Sequence, residues 1–341
     1  MSFPELVFLE SLLEDLRDEP LARVEQAASI PFGDKTFPIY TVTLGSRDPT
    51  APTLLLTGGV HGNEKIGAQV VLSALETLAE LLSWDEITRQ ALARSRIAVM
   101  PIVNPVGMYL LRRPNGRGVD LNRNSPIEAS SHTYPIVGGH RLTPLLPWYR
   151  GPSAAAMEPE AQALCDFVRR EAFPSRAAIA LDCHSGYGTV DRLWFPHNHT
   201  FQPFPEIANA FALKNLLDAT YPNHVYVMEP GAQGYTISGD LWDYLYLEHR
   251  EKVGENQRFL PITLEMGSWL WLKKNPAQLF SSAGLFHPMH LHRHKRILRR
   301  HITLLDFLHK AVISNSPWAF LSDDERDELH KGALDLWYAD E

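Results

Sequence analysis

The chain has 341 residues, 45% of them hydrophobic and 21% charged, a composition that excludes a disordered or fibrous protein and leaves ample length for a buried core. Its net charge of -8 excludes a general nucleic-acid binder, which needs a basic face. Two cysteines, Cys165 and Cys183, are too few for a disulfide framework and imply a reducing compartment.

In chain order, Leu6, Leu9, Leu12, Leu13 and Leu16 recur at helical spacing among acids and predict an amphipathic first helix. The N-terminus carries no basic region, apolar signal core or cleavage site, and no apolar run approaches the ~20 residues that span a bilayer. The expectation is a cytoplasmic protein without a membrane segment or a pro-segment. The runs "ARVEQAASI", "FPIYTVTLG", "TLLLTGG" and "RIAVMPIVNP" read as strands. Between the last two, "IGAQVVLSALETLAELLS" carries apolar residues at i, i+3, i+4 and i+7, which predicts a helix of about five turns and hence a βαβ unit. Residues 112–152 are rich in Pro, Gly, Asn and Arg without periodicity and read as long functional loops. A helix over "EPEAQALCDFVRREAF", a strand over "AAIALDCHSG", strands at "RLWFP", "HVYVME" and "FLPITLEMG", and a helix over 206–218 follow. The late helix is "KRILRRHITLLDFLHKAVI". The pattern predicts an α/β fold, a mixed sheet with helices on both faces. Its parts are an N-terminal helix over 1–20, a main domain over 21–315 and an acidic helical appendage over 316–341.

Two places combine strand ends with metal-ligand chemistry. In "GGVHGNE", His61 and Glu64 lie just past a strand, and Gly58, Gly59 and Gly62 permit a turn tight enough to aim both at one point. His-x-x-Glu alone is a weak signal, and it is not the helical His-Glu-x-x-His pattern. His184 ends another apolar strand in "LDCHSG" and would also leave the carboxyl edge of the sheet, where open α/β sheets bind ligands. Taken singly, a buried histidine is the commoner reading. Two histidines, one carboxylate and an open fourth position together make a catalytic zinc site.

"HGNE", "NPVGMYLLRRPNGRGVDLNRN", "LDCHSG" and "PITLEMG", in this order over Leu54 to Gly267, resemble the carboxypeptidase A-like zinc metallopeptidases. That superfamily also includes succinylglutamate desuccinylases and aspartoacylases. The resemblance implies a three-layer α/β/α fold with about eight strands in a mixed sheet. It implies one Zn2+ per chain on His61, Glu64 and His184, with Glu265 as general base. Asn122 and Arg123 match the pair that grips the substrate's terminal carboxylate, a task for arginine's planar fork. Arg113, with Arg112 as a neighbouring competitor, matches the arginine that stabilises the oxyanion. Asp120 matches the carboxylate that holds a ligand histidine, here His61. Asp182, two residues before His184, shares its face and belongs either behind that ring or to a core polar network. "YTISGDLWDYLY" resembles the family's mobile loop, whose tyrosine closes over substrate; Tyr246 is preferred there to Tyr244.

"FHPMHLHRHKR" offers His287, His290, His292 and His294, but no carboxylate accompanies them, and they read as solvated side chains at a helix start. Cys183 reads as a buried thiol. Ser125 stands where peptidase members usually carry an aromatic residue. The resemblance implies a zinc-dependent hydrolase cleaving a peptide or amide bond beside a free carboxylate, first a metallocarboxypeptidase acting on small peptides. Alternatives are an N-acyl amino acid amidohydrolase, a murein peptide amidase, or a non-catalytic zinc-binding protein, against which Glu265 argues. No nucleic-acid or membrane partner is expected, and oligomeric state is left open.

Overall fold

A computed structural model describes residues 3–130, 133–232, 235–274, 276 and 284–339. The apolar runs form strands β1 (Ala22–Phe32), β2 (Lys35–Gly45), β3 (Thr53–Gly58), β4 (Arg96–Met100), β5 (Ala177–Ser185), β6 (Asp191–Phe195), β7 (Tyr226–Pro230) and β8 (Arg258–Met266). The helices are α1 (Pro4–Asp15), α2 (Lys65–Trp84), α3 (Glu86–Ala93), α4 (Pro105–Leu110), α5 (Pro159–Glu171), α6 (Ile207–Thr220), α7 (Leu241–Val253), α8 (Trp269–Lys274), α9 (Leu291–Ile313) and α10 (Asp323–Trp337).

All eight strands join one mixed sheet in the order β1-β2-β4-β3-β5-β8-β6-β7. Its centre, β4-β3-β5-β8, is parallel. Every residue of β3, β4 and β5 is buried, as a parallel sheet covered by helices on both faces requires. The expected three-layer α/β/α architecture is therefore the one observed. Because β3, β5 and β8 run the same way, their carboxyl ends share one edge, and residues far apart in sequence meet there.

α2 supplies the βαβ crossover and packs on β3, β5, α1 and α9. It is long and apolar enough to cross a membrane, which corrects the expectation that no segment approaches that length. Its buried face, from Ile66 to Leu82, gives that hydropathy a core-packing cause.

The sequence reading missed α3, α4, α7 and α8. The stretch taken for a mobile loop is the start of α7. Asp240 caps it, accepting from the backbone N–H of Trp242 at 2.9 Å and of Asp243 at 3.0 Å. The acidic C-terminal segment packs onto the main domain. α10 begins with a Ser322/Glu325 capping box and lies on α6. The Trp337 indole N–H donates to the Met228 carbonyl at 3.0 Å, so α10 ties down one backbone group of the edge strand β7, a kind of edge that otherwise invites pairing.

Candidate metal centre and cleft

The turn after β3 is shaped by glycine. Gly59 has φ +68°, and a Cβ on Gly62 would sit 1.9 Å from the Gly107 carbonyl carbon, so the first turn of α4 can pass directly over it. Asn104 ties the two loops: it caps α4 by accepting from the Gly107 N–H at 2.8 Å and donates to the Val60 carbonyl at 3.2 Å. His61 and Glu64 are thereby fixed just before the N-terminus of α2, where the helix dipole favours a carboxylate. On the neighbouring strand His184 stands directly opposite Glu265 of β8. Pairing register thus puts Glu265 beside the histidine.

His61, Glu64 and His184 converge. One ligand atom from each lies within 4.8 Å of the others, and all three residues are buried. His184 Nδ1 is 3.1 Å from His61 Nδ1 and 3.0 Å from Glu64 Oε2, while His61 Nδ1 is 2.9 Å from Glu64 Oε1. Each ring has a carboxylate on its other nitrogen: His61 Nε2 meets Asp120 Oδ1 at 3.1 Å, and His184 Nε2 meets Asp182 Oδ2 at 2.6 Å. Those partners hold the Nε2 protons and leave both Nδ1 lone pairs facing the common point. Asp182 is at once behind the ring and in a core network, since it also accepts from the Thr57 hydroxyl at 2.8 Å and the Trp242 indole at 2.9 Å.

Electrostatics agree with a cation at that point. Burial opposes ionisation of Glu64, but His61 and His184 outweigh it and hold its carboxyl far below the usual range. Burial likewise opposes charge on His184, but Asp182 and Glu64 push its pKa well above that of an ordinary imidazole. The site draws a proton where a divalent ion would add still more positive charge. Burial and then Glu64 push Glu265 up to about 8, a shift that an adjacent divalent cation reverses. The donor set fits zinc.

A cavity of about 720 Å³ opens over these residues, lined by Glu265, Arg113, Asn122 and Arg123 as well as the three ligands. Arg113 Nε donates to Asp120 at 2.8 Å and its Nη1 to Glu64 at 3.3 Å, so its guanidinium is held at the metal point. Arg112 is exposed and lies off the cavity, which decides between the two. Arg123 is 6% exposed. Its Nε has no hydrogen-bond partner, and among the described residues it makes no ion pair. The Asn122 side-chain oxygen beside it is also unpartnered. A buried guanidinium without a carboxylate is costly unless a ligand supplies one. Ser125 does not reach the cavity: its hydroxyl donates to the Asp240 carbonyl at 3.0 Å in the loop wall behind.

Tyr246 is corrected. Because Asp240 starts a helix, the side chain at 246 turns into the core, fully buried, its ring 4.7 Å from Phe204, and it does not line the cavity. Tyr244 is engaged elsewhere, accepting from Arg169 Nη2 at 3.2 Å. The tyrosine of that stretch that lines the cavity is Tyr235; the capping signal of an Asp two residues before a Trp-Asp pair could have separated loop from helix. Sequence reading also missed Tyr187, whose backbone N–H donates to Glu265 at 2.9 Å. It missed Asp240 in the cavity wall as well, pushed up to about 7 by burial and by Asp243. The histidine tract divides: His290 and His292 are exposed, while His294 Nε2 meets Gln69 at 2.8 Å. Cys183 is buried beneath the site, its thiol pushed well up by burial.

The chain matches the zinc carboxypeptidase family over residues 35–270. Carboxypeptidase SOL1 of Arabidopsis thaliana is 22% identical over 251 residues, covering 70% of this chain and 47% of that protein. The chain spans less than half the length of the curated relatives it matches. Among solved structures, bovine thrombin-activatable fibrinolysis inhibitor superposes with a TM-score of 0.62 at 18% identity, covering 91% of this chain and 95% of that one. Carboxypeptidase A from Helicoverpa armigera gives 0.60 at 16% identity, covering 94% and 74%. At these identities the structures establish a shared fold.

Proposed function

The chain belongs to the zinc carboxypeptidase family, and from that premise we propose that it is a zinc-dependent carboxypeptidase that removes a C-terminal residue from small peptides. The observation that carries the reading is Arg123, a buried guanidinium that makes no ion pair among the described residues, with Asp120 and Asp240 within electrostatic reach only, in the cavity that also holds His61, Glu64, His184 and Glu265. A free substrate carboxylate is the group that this fork, with Asn122, is built to receive.

Bound zinc supplies Lewis acidity and a water whose pKa falls toward ~7. His61, Glu64 and His184 would hold it, and Asp120 and Asp182 keep both imidazoles in the tautomer that ligation needs. Glu265 takes a proton from the attacking water on its carboxylate and returns it to the leaving amine. Arg113, pinned by Asp120, faces the oxygen that gains charge during attack. Tyr235 replaces Tyr246 as the ring that borders the substrate. Matches to proteins named carboxypeptidases support this reading over an N-acyl amino acid amidohydrolase. Two unpaired, buried cysteines support a reducing compartment, the cytoplasm.

The test compares hippuryl-type peptides with their C-terminal amides in the zinc-loaded protein. The free acids are expected to show a kcat/KM about 10- to 100-fold higher, the worth of a charge-assisted pair, and Arg123→Ala removes that preference. Equal turnover of acid and amide by the unaltered chain overturns the carboxypeptidase reading.

A further inference from the structure

A second cavity, of about 430 Å³, lies between α9 and the carboxyl end of β8, and none of its lining residues belongs to the metal cleft. Arg293, Arg296 and Arg300 line it from one side of α9, at i, i+3 and i+7. Asp191 is the single carboxylate in its lining, so three guanidiniums less one carboxylate leave an excess of two positive charges. The chain as a whole carries -8, so this concentration is local.

Asp191 is engaged by Arg300 and by the Gly267 backbone, and by neither of the other two arginines. Its Oδ2 accepts from Arg300 Nη1 at 2.7 Å, and its Oδ1 from the Gly267 N–H at 3.0 Å. Among the described residues, Arg293 and Arg296 have no carboxylate partner; Arg293 Nη1 donates only to the Trp271 carbonyl, at 3.2 Å. His301 joins them in the lining and is 1% exposed. Its Nδ1 meets the Tyr226 hydroxyl at 2.9 Å, and its Nε2 has no partner. A buried imidazole nitrogen left unpaired costs free energy unless a ligand or water completes it. Apart from Thr189, the rest of the wall is mostly apolar, with Met266, Leu270 and Ile297.

We propose that this cavity is a second ligand site for a small phosphate monoester whose organic body is apolar. A phosphate monoester carries close to two negative charges at neutral pH, which matches the excess of two. Arg293 and Arg296 face its oxygens with open donors, and His301 Nε2 offers a further hydrogen-bonding group. The apolar wall accounts for a body beyond the phosphate itself.

The probe is phenyl phosphate, titrated calorimetrically into the zinc-loaded full chain at about 0.15 M salt, where purely surface charge is largely screened. One probe per chain is expected to bind. The double change Arg293→Ala/Arg296→Ala weakens it at least about tenfold, the scale of charge-assisted hydrogen bonds, while peptide hydrolysis persists as evidence of an intact fold. Arg123→Ala, in the other cavity, leaves phenyl phosphate affinity unchanged. In the Arg123→Ala protein, whose metal cleft no longer grips a carboxylate, benzoate and inorganic phosphate are expected to bind more weakly than phenyl phosphate, one lacking the second charge and the other the apolar body. Absence of phenyl phosphate binding, or binding lost with Arg123 and retained without Arg293 and Arg296, overturns the site. Benzoate or inorganic phosphate binding equally well overturns the ligand class.

Discussion

Two regions of the molecule are rich in imidazole, and they differ in what stands behind each ring. At the sheet edge, His61 and His184 each meet a buried carboxylate through Nε2, at 3.1 Å and 2.6 Å. At the start of α9, His290 and His292 stack on each other with ring centroids 5.6 Å apart, exposed to solvent, and His294 has a neutral amide for a partner. Three histidines within five residues make no ligand group among the described residues, whereas two histidines 123 residues apart do. Ligation depends on a fixed tautomer and a shared focus, and both come from buried acids on rigid strand ends.

The sharpest way to break this comparison is to remove one ring from each region. His184→Ala is expected to lose bound zinc and hydrolysis together, while His292→Ala keeps both; metal content by mass spectrometry and peptide turnover read the result. If zinc persists without His184, the sheet-edge site is not the metal centre. Glu265→Gln tests the acid opposite His184. It should retain zinc and lose about 10²- to 10⁴-fold in kcat, the usual worth of general base catalysis, and undiminished turnover would assign the proton transfer elsewhere.

Changing the groups behind the rings sharpens the contrast. Asp182→Asn should weaken zinc about 10- to 100-fold in competition with a chelator, and Gln69→Ala, behind His294, should change nothing.

The smallest effect concerns buried histidines with no carboxylate at all. Burial, with Arg258 adding to it, pushes His249 down to about 4, and the ring packs edge-on against Phe173 at 5.2 Å. Its pKa is lower folded than unfolded, so below the ordinary value of about 6.5 the unfolded chain binds more protons. Stability is therefore lost as pH falls from about 6.5 toward 4, by about 1.4 kcal/mol at about pH 5.5 from this one ring. His249→Phe should remove that share of the slope in denaturant unfolding at two pH values; an unchanged slope would show that the ring does not titrate in this window.

Much of the site was legible because its residues sit at places with local signals. Strand-ending runs locate His184 and Glu265, and glycines mark the turn that carries His61 and Glu64. Asp120 and Asp182 lie within two residues of a marked position, and strand periodicity puts Asp182 on the face of His184. Tyr246 was misread because the resemblance pointed to a loop, although Asp240 begins a helix there and the α-helical period carries residue 246 inward. Spacing in the loop favours Arg113 over its neighbour Arg112 only through the resemblance, and the turn after α4 exposes Arg112 and pins Arg113 to Asp120. Nothing local announced Tyr187 or Asp240 as cavity walls.

From sequence alone came the mixed α/β class and the expectation that His61, Glu64 and His184 converge, since residue type, strand endings and turn glycines are properties of short segments. The roles expected of Glu265 and Arg123 came from the family resemblance. The tertiary structure decided which tyrosine of that stretch lines the cavity, which arginine reaches Glu64 and Asp120, and that α9 and β8 enclose a second, basic cavity. Those features depend on how loops and helices distant in the chain close over one sheet edge, and helical or strand periodicity encodes the inward face of an element without encoding what it will meet.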